Sequence, residues 1–368
     1  MRRVAALALV LLLVIPSWAL ADGFTVDARA AILIEAESGR VLFSQNSDEM
    51  LPMASTTKIM TCLLALENAQ LDALVKTPRE ASGITGTSIY LSEGETLTME
   101  QLLYGLMLRS GNDAAASIAI YVGGSQQGFV DMMNARAQEM GIDASFANPH
   151  GLDAEGHKAS AAAMAELMRQ AIKNEDFVRI VGTQEKIIPW EGNEYSRVLY
   201  NKNRLLTSYE GTIGGKTGYT TGAGRCLVFA AERNGMTLIG CVLNCSTWFD
   251  TAEMLLDYGF ENYSASMEFE AGETVERVEV IGGQARSVEL IAAGPLTFPL
   301  GLDEKYIVNI ETRSAVAPIY AGAAAGSVSI LVEGETVASV DLVYAADVPE
   351  NSMEGALGRV LDMWLMKL

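Results

Sequence analysis

The chain has 368 residues, 49% of them hydrophobic, and carries a formal net charge of −20 at pH 7. So apolar a chain is not disordered, and its length exceeds what one hydrophobic core usually holds, so we expect two domains. The acidic balance excludes nucleic acid as a partner and offers no polybasic patch for a membrane.

Residues 1–21 have the features of a secretory signal peptide. Two arginines precede an unbroken apolar stretch over 4–15, and residues 19–21 (Ala-Leu-Ala) form a small-x-small cleavage site. The apolar stretch is shorter than the roughly 20 residues of a membrane-spanning helix, so an uncleaved anchor is the weaker interpretation. We expect cleavage before Asp22 and export, which changes the net charge from −20 to −22 because two arginines and no acidic residue are lost.

A β-hairpin is predicted over 30–43, where apolar residues alternate on both sides of Gly39. A long, mostly helical region follows over about 55–174. Within it, Thr98 and Gln101 have the spacing of a capping box that opens an apolar helix.

Strands return at 226–231 and 236–243, on either side of an Asn-Gly turn signal, and a short helix is predicted over 251–258. Helices inserted between strands of one sheet predict an α/β domain. We place this domain at 22–263.

Short alternating segments then predict a small β-sandwich or barrel domain over 267–346. They are 278–280, 288–290, 307–310, 328–332 and 340–343. Residues 351–368 are predicted to form an amphipathic helix with Trp364 on its apolar face. This helix is either an interfacial membrane anchor or a helix packed on the β domain or on a partner, and its balanced charges give little attraction to anionic lipid.

The four cysteines are Cys62, Cys226, Cys241 and Cys245. Export would permit disulfides. The hairpin turn at Asn234-Gly235, however, places Cys226 opposite Leu243 and only diagonal to the two later cysteines, which is a poor geometry for a bridge. We favour buried free thiols and leave the disulfide state open.

A serine and a lysine three residues apart begin the apolar stretch at 59–66. At this spacing Ser55 and Lys58 lie on one helix face, about one turn apart. A serine hydroxyl becomes a good nucleophile when a neighbour accepts its proton, and a lysine can do so if burial or a nearby cation lowers its pKa. The helix N-terminus supplies N–H groups for an oxyanion. Alone, Ser-x-x-Lys is better explained as a serine cap with a surface lysine.

Ser110 and Asn112 flank a glycine where one predicted helix ends at Arg109 and an alanine-rich helix begins at Asp113. A hydroxyl and an amide that project from such a break can contact both Lys58 and a peptide substrate. Taken alone, the tripeptide is better explained as a turn with a cap.

A glycine-rich segment over 214–220 leads into the strand that begins at Cys226. Lys216 and Thr217 on a strand edge can bind a carboxylate, and Gly218 lets a substrate backbone approach and join the sheet as an extra strand. A phosphate-binding loop is the alternative for such a segment, but that pattern requires a following helix, which is not predicted here.

In this order the three elements match the Ser-x-x-Lys, Ser-x-Asn and Lys-Thr-Gly motifs of penicillin-binding proteins and class A β-lactamases. The combination is more specific than any one motif. The sequence resembles the low-molecular-mass D-alanyl-D-alanine carboxypeptidases of the S11 type most closely at 52–61, 101–115, 148–153 and 216–220. This resemblance implies a β-lactamase/transpeptidase-like catalytic domain, with an antiparallel sheet, flanking helices and a helical subdomain, followed by an all-β domain and a C-terminal amphipathic anchor.

The resemblance also implies a mechanism on peptidoglycan stem peptides. Ser55 would attack the carbonyl between two D-alanines while Lys58 accepts its proton, and Ser110 with Lys216 would return a proton to the leaving amine. Penicillins and other β-lactams would acylate the same serine as substrate mimics.

The same resemblance assigns the remaining site residues. The backbone N–H groups of Ser55 and Tyr219 would hold the oxyanion, Lys216 and Thr217 the terminal carboxylate, and Asn112 the substrate amide. The enzyme would work outside the cell, peripherally on the outer face of the cytoplasmic membrane.

Three other functions remain open at this stage. An endopeptidase would cut cross-links with the same machinery. A serine β-lactamase would need a deacylating glutamate, for which we find no convincing partner near Glu166, and Gly111 stands where class A enzymes have aspartate. A wall-binding protein with a silent site is disfavoured because all three motifs are intact.

His150 permits a Ser-His-Asp triad with Ser55 and Asp153. We favour the lysine pairing, since Lys58 already explains the serine and His150 lies in a turn where a structural role suffices. Because His150 and His157 are the only histidines and Cys-x-x-Cys and His-Glu-x-x-His patterns are lacking, we expect no metal site and no cofactor.

Overall fold

The structure is a computed structural model that describes residues 24–351. The expected signal peptide at 1–21 lies outside these residues, as does all but the first residue of the predicted amphipathic helix at 351–368. Within the described part of the chain, none of the helices is long and apolar enough to cross a membrane.

The first half of the chain contains an N-terminal hairpin followed by a mainly helical region. Its strands and helices are β1 (Ala30–Glu35), β2 (Val41–Gln45), α1 (Lys58–Asn68), β3 (Leu74–Lys76), β4 (Thr96–Thr98), α2 (Met99–Leu108), α3 (Asn112–Gly123), α4 (Gln126–Met140), β5 (Ala144–Ser145), β6 (Lys158–Ala159) and α5 (Ala161–Ala171). The predicted hairpin and helical region are confirmed. The short pairs β3–β4 and β5–β6 were not predicted.

The next part of the chain returns to strands and ends in a long helix. Its elements are α6 (Glu175–Val181), β7 (Glu185–Ile188), β8 (Arg197–Tyr200), α7 (Leu205–Ser208), β9 (Thr212–Thr220), β10 (Gly224–Arg233), β11 (Met236–Leu243) and α8 (Trp248–Asn262). Asn234 and Gly235 have φ values of 51° and 77°, as the predicted two-residue turn requires. The closing helix is longer than the predicted 251–258.

One antiparallel sheet joins the two ends of this α/β unit in the order β2-β1-β11-β10-β9. Helices α1 and α5 cover one face and α8 covers the other. Helix α8 lies very close to the sheet, since a Cβ atom on Gly259 would stand 2.4 Å from Leu238 Cδ1. The sheet thereby leaves β9 as an open edge, facing the turn before α1.

The remaining strands form an all-β unit, as predicted from the alternating segments. They are β12 (Tyr263–Phe269), β13 (Thr274–Ile281), β14 (Ser287–Ala292), β15 (Leu296–Gly301), β16 (Tyr306–Thr312), β17 (Ala315–Val316), β18 (Ala324–Val332) and β19 (Glu335–Tyr344). One sheet has the order β16-β18-β19-β14-β13-β17, and β12 pairs with β15. This unit has its own hydrophobic core.

Arg40 links the two units. Arg40, in the turn before β2, donates from Nη1 to Pro299 O at 2.6 Å and to Glu304 Oε2 at 2.8 Å. Its guanidinium also lies 5.5 Å from the ring centre of Tyr263, where β12 begins. The N-terminal hairpin is therefore fastened to the all-β unit by an ion pair that is largely shielded from water.

All four cysteines are buried free thiols, which confirms the favoured interpretation. The Sγ atom of Cys226 lies 3.8 Å from Pro52 O, directly behind the turn that carries Ser55. Burial raises the pKa of Cys226 to about 12, so its unreactive thiol form dominates.

Substitution of Thr98 by alanine tests the capping box of α2. Thr98 Oγ1 accepts from Gln101 N at 3.2 Å, and Thr98 N donates to Gln101 Oε1 at 2.9 Å. Thr98→Ala leaves the Gln101 N–H without its cap and should lower the free energy of unfolding by about 1 kcal/mol, measured by urea denaturation. Thr98→Ser keeps the cap and should stay close to wild type; equal losses in both variants would contradict this account.

Candidate active site

Ser55 lies in a 3₁₀ turn over Ala54–Thr57 that leads directly into α1. Its side chain is half-buried, while the rest of the turn and Lys58 are buried. Ala54 has φ = +48°, a left-handed conformation that costs free energy in a residue with a Cβ atom. The serine is thus held at a fixed, strained position at the N-terminus of a buried helix.

Lys58 is fully buried beside the serine. Its Nζ donates to Asn112 Oδ1 at 2.8 Å and to the carbonyl oxygen of His150, and it lies 2.9 Å from Ser55 Oγ. Burial lowers the pKa of Lys58 well below its usual range, and the positive charges of Lys216 and Lys202 lower it further. This shift stabilises the neutral amine relative to the ammonium, and the neutral amine is the form that can accept a proton from Ser55.

Ser110 projects from the break between α2 and α3, with φ = +65°. It meets Lys216 of β9, whose Nζ lies 3.1 Å from Ser110 Oγ and 2.7 Å from Thr217 O. Burial, reinforced by the charge of Lys202, lowers the pKa of Lys216 to about 7. This second lysine can therefore exist in either protonation state near neutral pH.

The edge strand β9 lies against the Ser55 turn at Gly218. A Cβ atom at this position would stand 2.9 Å from Ser55 N and 3.0 Å from Ala54 Cβ, so only glycine permits this approach. Thr217 is buried and Tyr219 is exposed. The eight residues predicted for the site are thereby brought together by three elements, namely the turn before α1, the α2–α3 break and β9.

Besides its contact with Lys58, Asn112 is held by two backbone carbonyl oxygens. Its Nδ2 donates to Thr85 O at 2.7 Å, and its backbone N–H donates to Thr87 O at 2.7 Å. The next residue, Asp113, accepts from the backbone N–H groups of Ile89 and Leu91 at 2.9–3.1 Å. The start of α3 therefore holds the loop over 85–91, which forms one wall of the site.

A buried ion pair fastens the same loop from outside. Arg197 and Glu95 are almost inaccessible, and Arg197 Nη2 lies 2.8 Å from Glu95 Oε2. The guanidinium also donates to Ile89 O at 2.6 Å and to Tyr90 O at 2.9 Å. The sequence analysis did not find this pair, because two isolated charged residues about 100 positions apart give no pattern.

His150 lies next to Ser55 with its carbonyl oxygen and not with its imidazole ring. Ser55 Oγ lies 3.4 Å from His150 O, whereas His150 Nδ1 accepts from Leu152 N at 3.3 Å. Asp153 instead accepts from Thr220 Oγ1 at 2.6 Å. The contacts thus support the lysine pairing over the triad alternative.

Glu166, around which a deacylating glutamate was sought, is engaged elsewhere. It pairs with Arg169 at 2.6 Å and accepts from Gln170 on the same helix. Among residues 24–351, the His, Cys, Asp and Glu side chains form no group that could hold a metal ion.

The fold and site define a penicillin-recognising serine enzyme, with a serine beside a buried lysine, a second serine at a helix break and a Lys-Thr-Gly edge strand. Residues 18–247 match the Peptidase S11 family model, described as D-alanyl-D-alanine carboxypeptidase. Residues 263–350 match the penicillin-binding protein 5 C-terminal domain. The chain belongs to the S11 family of serine-type D-alanyl-D-alanine carboxypeptidases.

Curated relatives agree over almost the whole chain. D-alanyl-D-alanine carboxypeptidase DacF of Bacillus subtilis is 33% identical over 92% of this chain and 90% of its own length. DacC of Escherichia coli is 32% identical over 93% of this chain and 89% of its own. The crystal structure of penicillin binding protein 5 from Haemophilus influenzae superposes with a TM-score of 0.78 at 27% identity, covering 89% of this chain and 98% of that chain.

Substitution of Arg197 tests the buried ion pair. Arg197→Met leaves the Glu95 carboxylate buried without its partner and should lower the free energy of unfolding by about 3–5 kcal/mol, measured by urea denaturation. Arg204→Met is the control, because the pair of Arg204 with Asp250 is exposed and should contribute only about 0–1 kcal/mol. Similar effects of both substitutions would refute the structural role of Arg197.

Proposed function

We propose that the protein is an exported serine D,D-carboxypeptidase that removes the terminal D-alanine from peptidoglycan stem peptides through an acyl-enzyme on Ser55. The observation that carries the proposal is the contact of 2.9 Å between Ser55 Oγ and the fully buried Nζ of Lys58. The family membership supplies the substrate class. We take 22–263 as the catalytic domain and 267–346 as the accessory β domain.

In the acylation step, Ser55 Oγ attacks the carbonyl carbon between the two D-alanines while Lys58 Nζ accepts the hydroxyl proton. The carbonyl oxygen becomes an oxyanion, which accepts hydrogen bonds from the backbone N–H groups of Ser55 and Tyr219. The close approach of β9 at Gly218 supports this pairing of donors from two separate elements.

When the tetrahedral adduct collapses, the peptide bond breaks and the nitrogen of the leaving D-alanine needs a proton. Ser110 is placed to donate it and to recover one from Lys216, whose Nζ lies 3.1 Å from Ser110 Oγ. Water then attacks the ester carbonyl and gives up a proton to the neutral Lys216 through Ser110, while Lys58 returns its proton to Ser55 Oγ, so the shortened peptide is released and both lysines regain their starting states.

The substrate would bind along the edge strand β9. Lys216 and Thr217 would hold the terminal carboxylate, while Asn112 would hold the amide of the substrate backbone with Oδ1 or Nδ2. The peptide would join β9 as an additional antiparallel strand, with Gly218 leaving room for its backbone. β-Lactams, which carry a carboxylate beside a strained amide, would acylate Ser55 in the same position.

The proposed place of action is outside the cytoplasm. The predicted signal peptide over 1–21 supports export, and the amphipathic sequence pattern over 351–368 supports peripheral attachment to the outer face of the cytoplasmic membrane.

Replacement of the nucleophile is the primary test. Purified wild type should release D-alanine from a peptide ending in D-Ala-D-Ala and form a stable adduct with labelled penicillin, detected by mass spectrometry. Ser55→Ala should lose both reactions, because no other group forms the ester. Rapid turnover of penicillin without D-alanine release would instead indicate a β-lactamase, and activity only on cross-linked peptides would indicate an endopeptidase.

The protonation of Lys216 predicts how KM depends on pH. Lys216 carries its charge below its pKa of about 7 and loses it as the pH rises, so its attraction for the substrate carboxylate disappears above neutrality. KM for the D-Ala-D-Ala peptide should therefore rise about 10-fold between pH 6 and pH 9. The corresponding C-terminal amide lacks the carboxylate, and its KM should be high and nearly constant. Parallel changes for both substrates would rule out this role.

A further inference from the structure

The peptide bond between Ala54 and Ser55 is under unusual constraint. Ala54 is buried and has φ = +48°, a conformation that is uncommon for a residue other than glycine and costs about 1–3 kcal/mol. Such a conformation persists only where surrounding contacts over-determine it.

One of these contacts is a chain of hydrogen bonds behind the turn. Thr57 Oγ1 donates to Ala54 O at 2.8 Å and also lies 2.8 Å from His157 Nε2. The backbone N–H of Ala147 donates to His157 Nδ1 at 2.9 Å. Since Nδ1 accepts, the ring proton resides on Nε2, and Nε2–H donates to Thr57 Oγ1, whose own proton goes to Ala54 O. Every member of the chain has one possible direction.

The histidine is well suited to this fixed direction. His157 is buried, and burial lowers its pKa to about 4. The ring is therefore neutral at neutral pH, so Nδ1 stays an acceptor and Nε2 a donor.

Backbone from two other elements encloses the same peptide bond. A Cβ atom at Gly151 would stand 2.0 Å from Ala54 O, and one at Gly218 would stand 2.9 Å from Ser55 N. The peptide plane therefore lies between two glycine backbones, and its carbonyl oxygen is held by Thr57.

Fixing the oxygen also fixes the N–H group. In a planar trans peptide, the C=O of Ala54 and the N–H of Ser55 point in opposite directions, so an anchored carbonyl determines where the N–H points. We infer that His157 and Thr57 are positioning residues that aim the Ser55 N–H at the substrate oxyanion by anchoring Ala54 O. This inference rests on the proposed function, in which that N–H is an oxyanion donor.

The role is distinct from proton transfer. The hydrogen bonds described for the His157 ring reach Thr57 and Ala147, whereas Lys58 lies beside the Ser55 hydroxyl and would accept its proton. Loss of the chain should therefore reduce stabilisation of the transition state while leaving carboxylate and amide binding at Lys216, Thr217 and Asn112 intact.

Two matched pairs of variants separate positioning from general destabilisation. His157→Asn removes the donor to Thr57, whereas His157→Gln can keep it; Thr57→Val removes the hydroxyl, whereas Thr57→Ser keeps it. With the D-Ala-D-Ala peptide, Asn and Val variants should lose about 10- to 100-fold in kcat with KM within about twofold, since complete removal of an oxyanion donor costs about 10²–10³. The Gln and Ser variants should stay within about threefold of wild type.

The vibrational frequency of the acyl-enzyme provides a readout that stability alone does not change. A hydrogen bond from an aimed N–H weakens the ester C=O bond, so the carbonyl stretch of the penicilloyl-Ser55 ester should move to higher frequency in the Asn and Val variants. Thr98→Ala, which loses stability far from this turn in sequence, serves as the control and should leave the frequency unchanged.

The outcomes distinguish the inference from the proposed function. If the wild type is not acylated at Ser55, the proposed function and the inference both fail. If the wild type reacts but the Asn and Val variants retain kcat, or lose it with an unchanged carbonyl frequency, the inference alone is overturned. Should one variant not fold, the other pair gives the same decision.

Discussion

The removal of Lys58 from water is the constraint on which the rest of the site depends. A fully buried ammonium group is costly, so the surrounding groups decide whether the lysine is charged. Its direct contacts are neutral oxygens of Ser55, Asn112 and His150, and the charge of Lys216 disfavours a second cation. The carboxylate of Asp113, which opposes this trend, is occupied by backbone N–H groups of the wall loop. Burial and the nearby positive charges thus favour the neutral amine of Lys58, as its proposed role as a base requires.

Two turns beside this lysine have backbone conformations that cost free energy. Ala54, which directly precedes Ser55, has a positive φ, and so does Ser110, which carries a hydroxyl of the site. Each turn is held by a contact with a residue about 100 positions away in the sequence. The site can therefore form only when the helical region and the sheet have come together. Strain at these two turns is offset by the buried core that α1, α2 and α3 share with the sheet.

Local patterns in the sequence predicted the hairpins, the capping box, the all-β unit and the grouping of the three motifs. Those features depend on neighbours within a few residues, or on motifs whose order is itself informative. His157, Glu95 and Arg197 escaped prediction because their partners are brought near only by the folded chain. For the same reason the imidazole ring of His150 was considered a catalytic candidate, whereas it is the backbone carbonyl oxygen of this residue that contacts Lys58. The Gly-His-Lys sequence at 156–158 matches no motif that would mark the histidine as part of the site.

An open strand edge is normally a hazard, because its unpaired N–H and C=O groups can pair with the edge of another molecule. The edge strand β9 must stay open if a peptide is to join it, yet its central residues from Gly214 to Gly218 are buried beneath the walls of the site. Because these residues are buried, little of the middle of the edge is exposed to the strand of another folded molecule. Burial of its central residues therefore lowers the tendency of this edge to pair with a second copy of the chain.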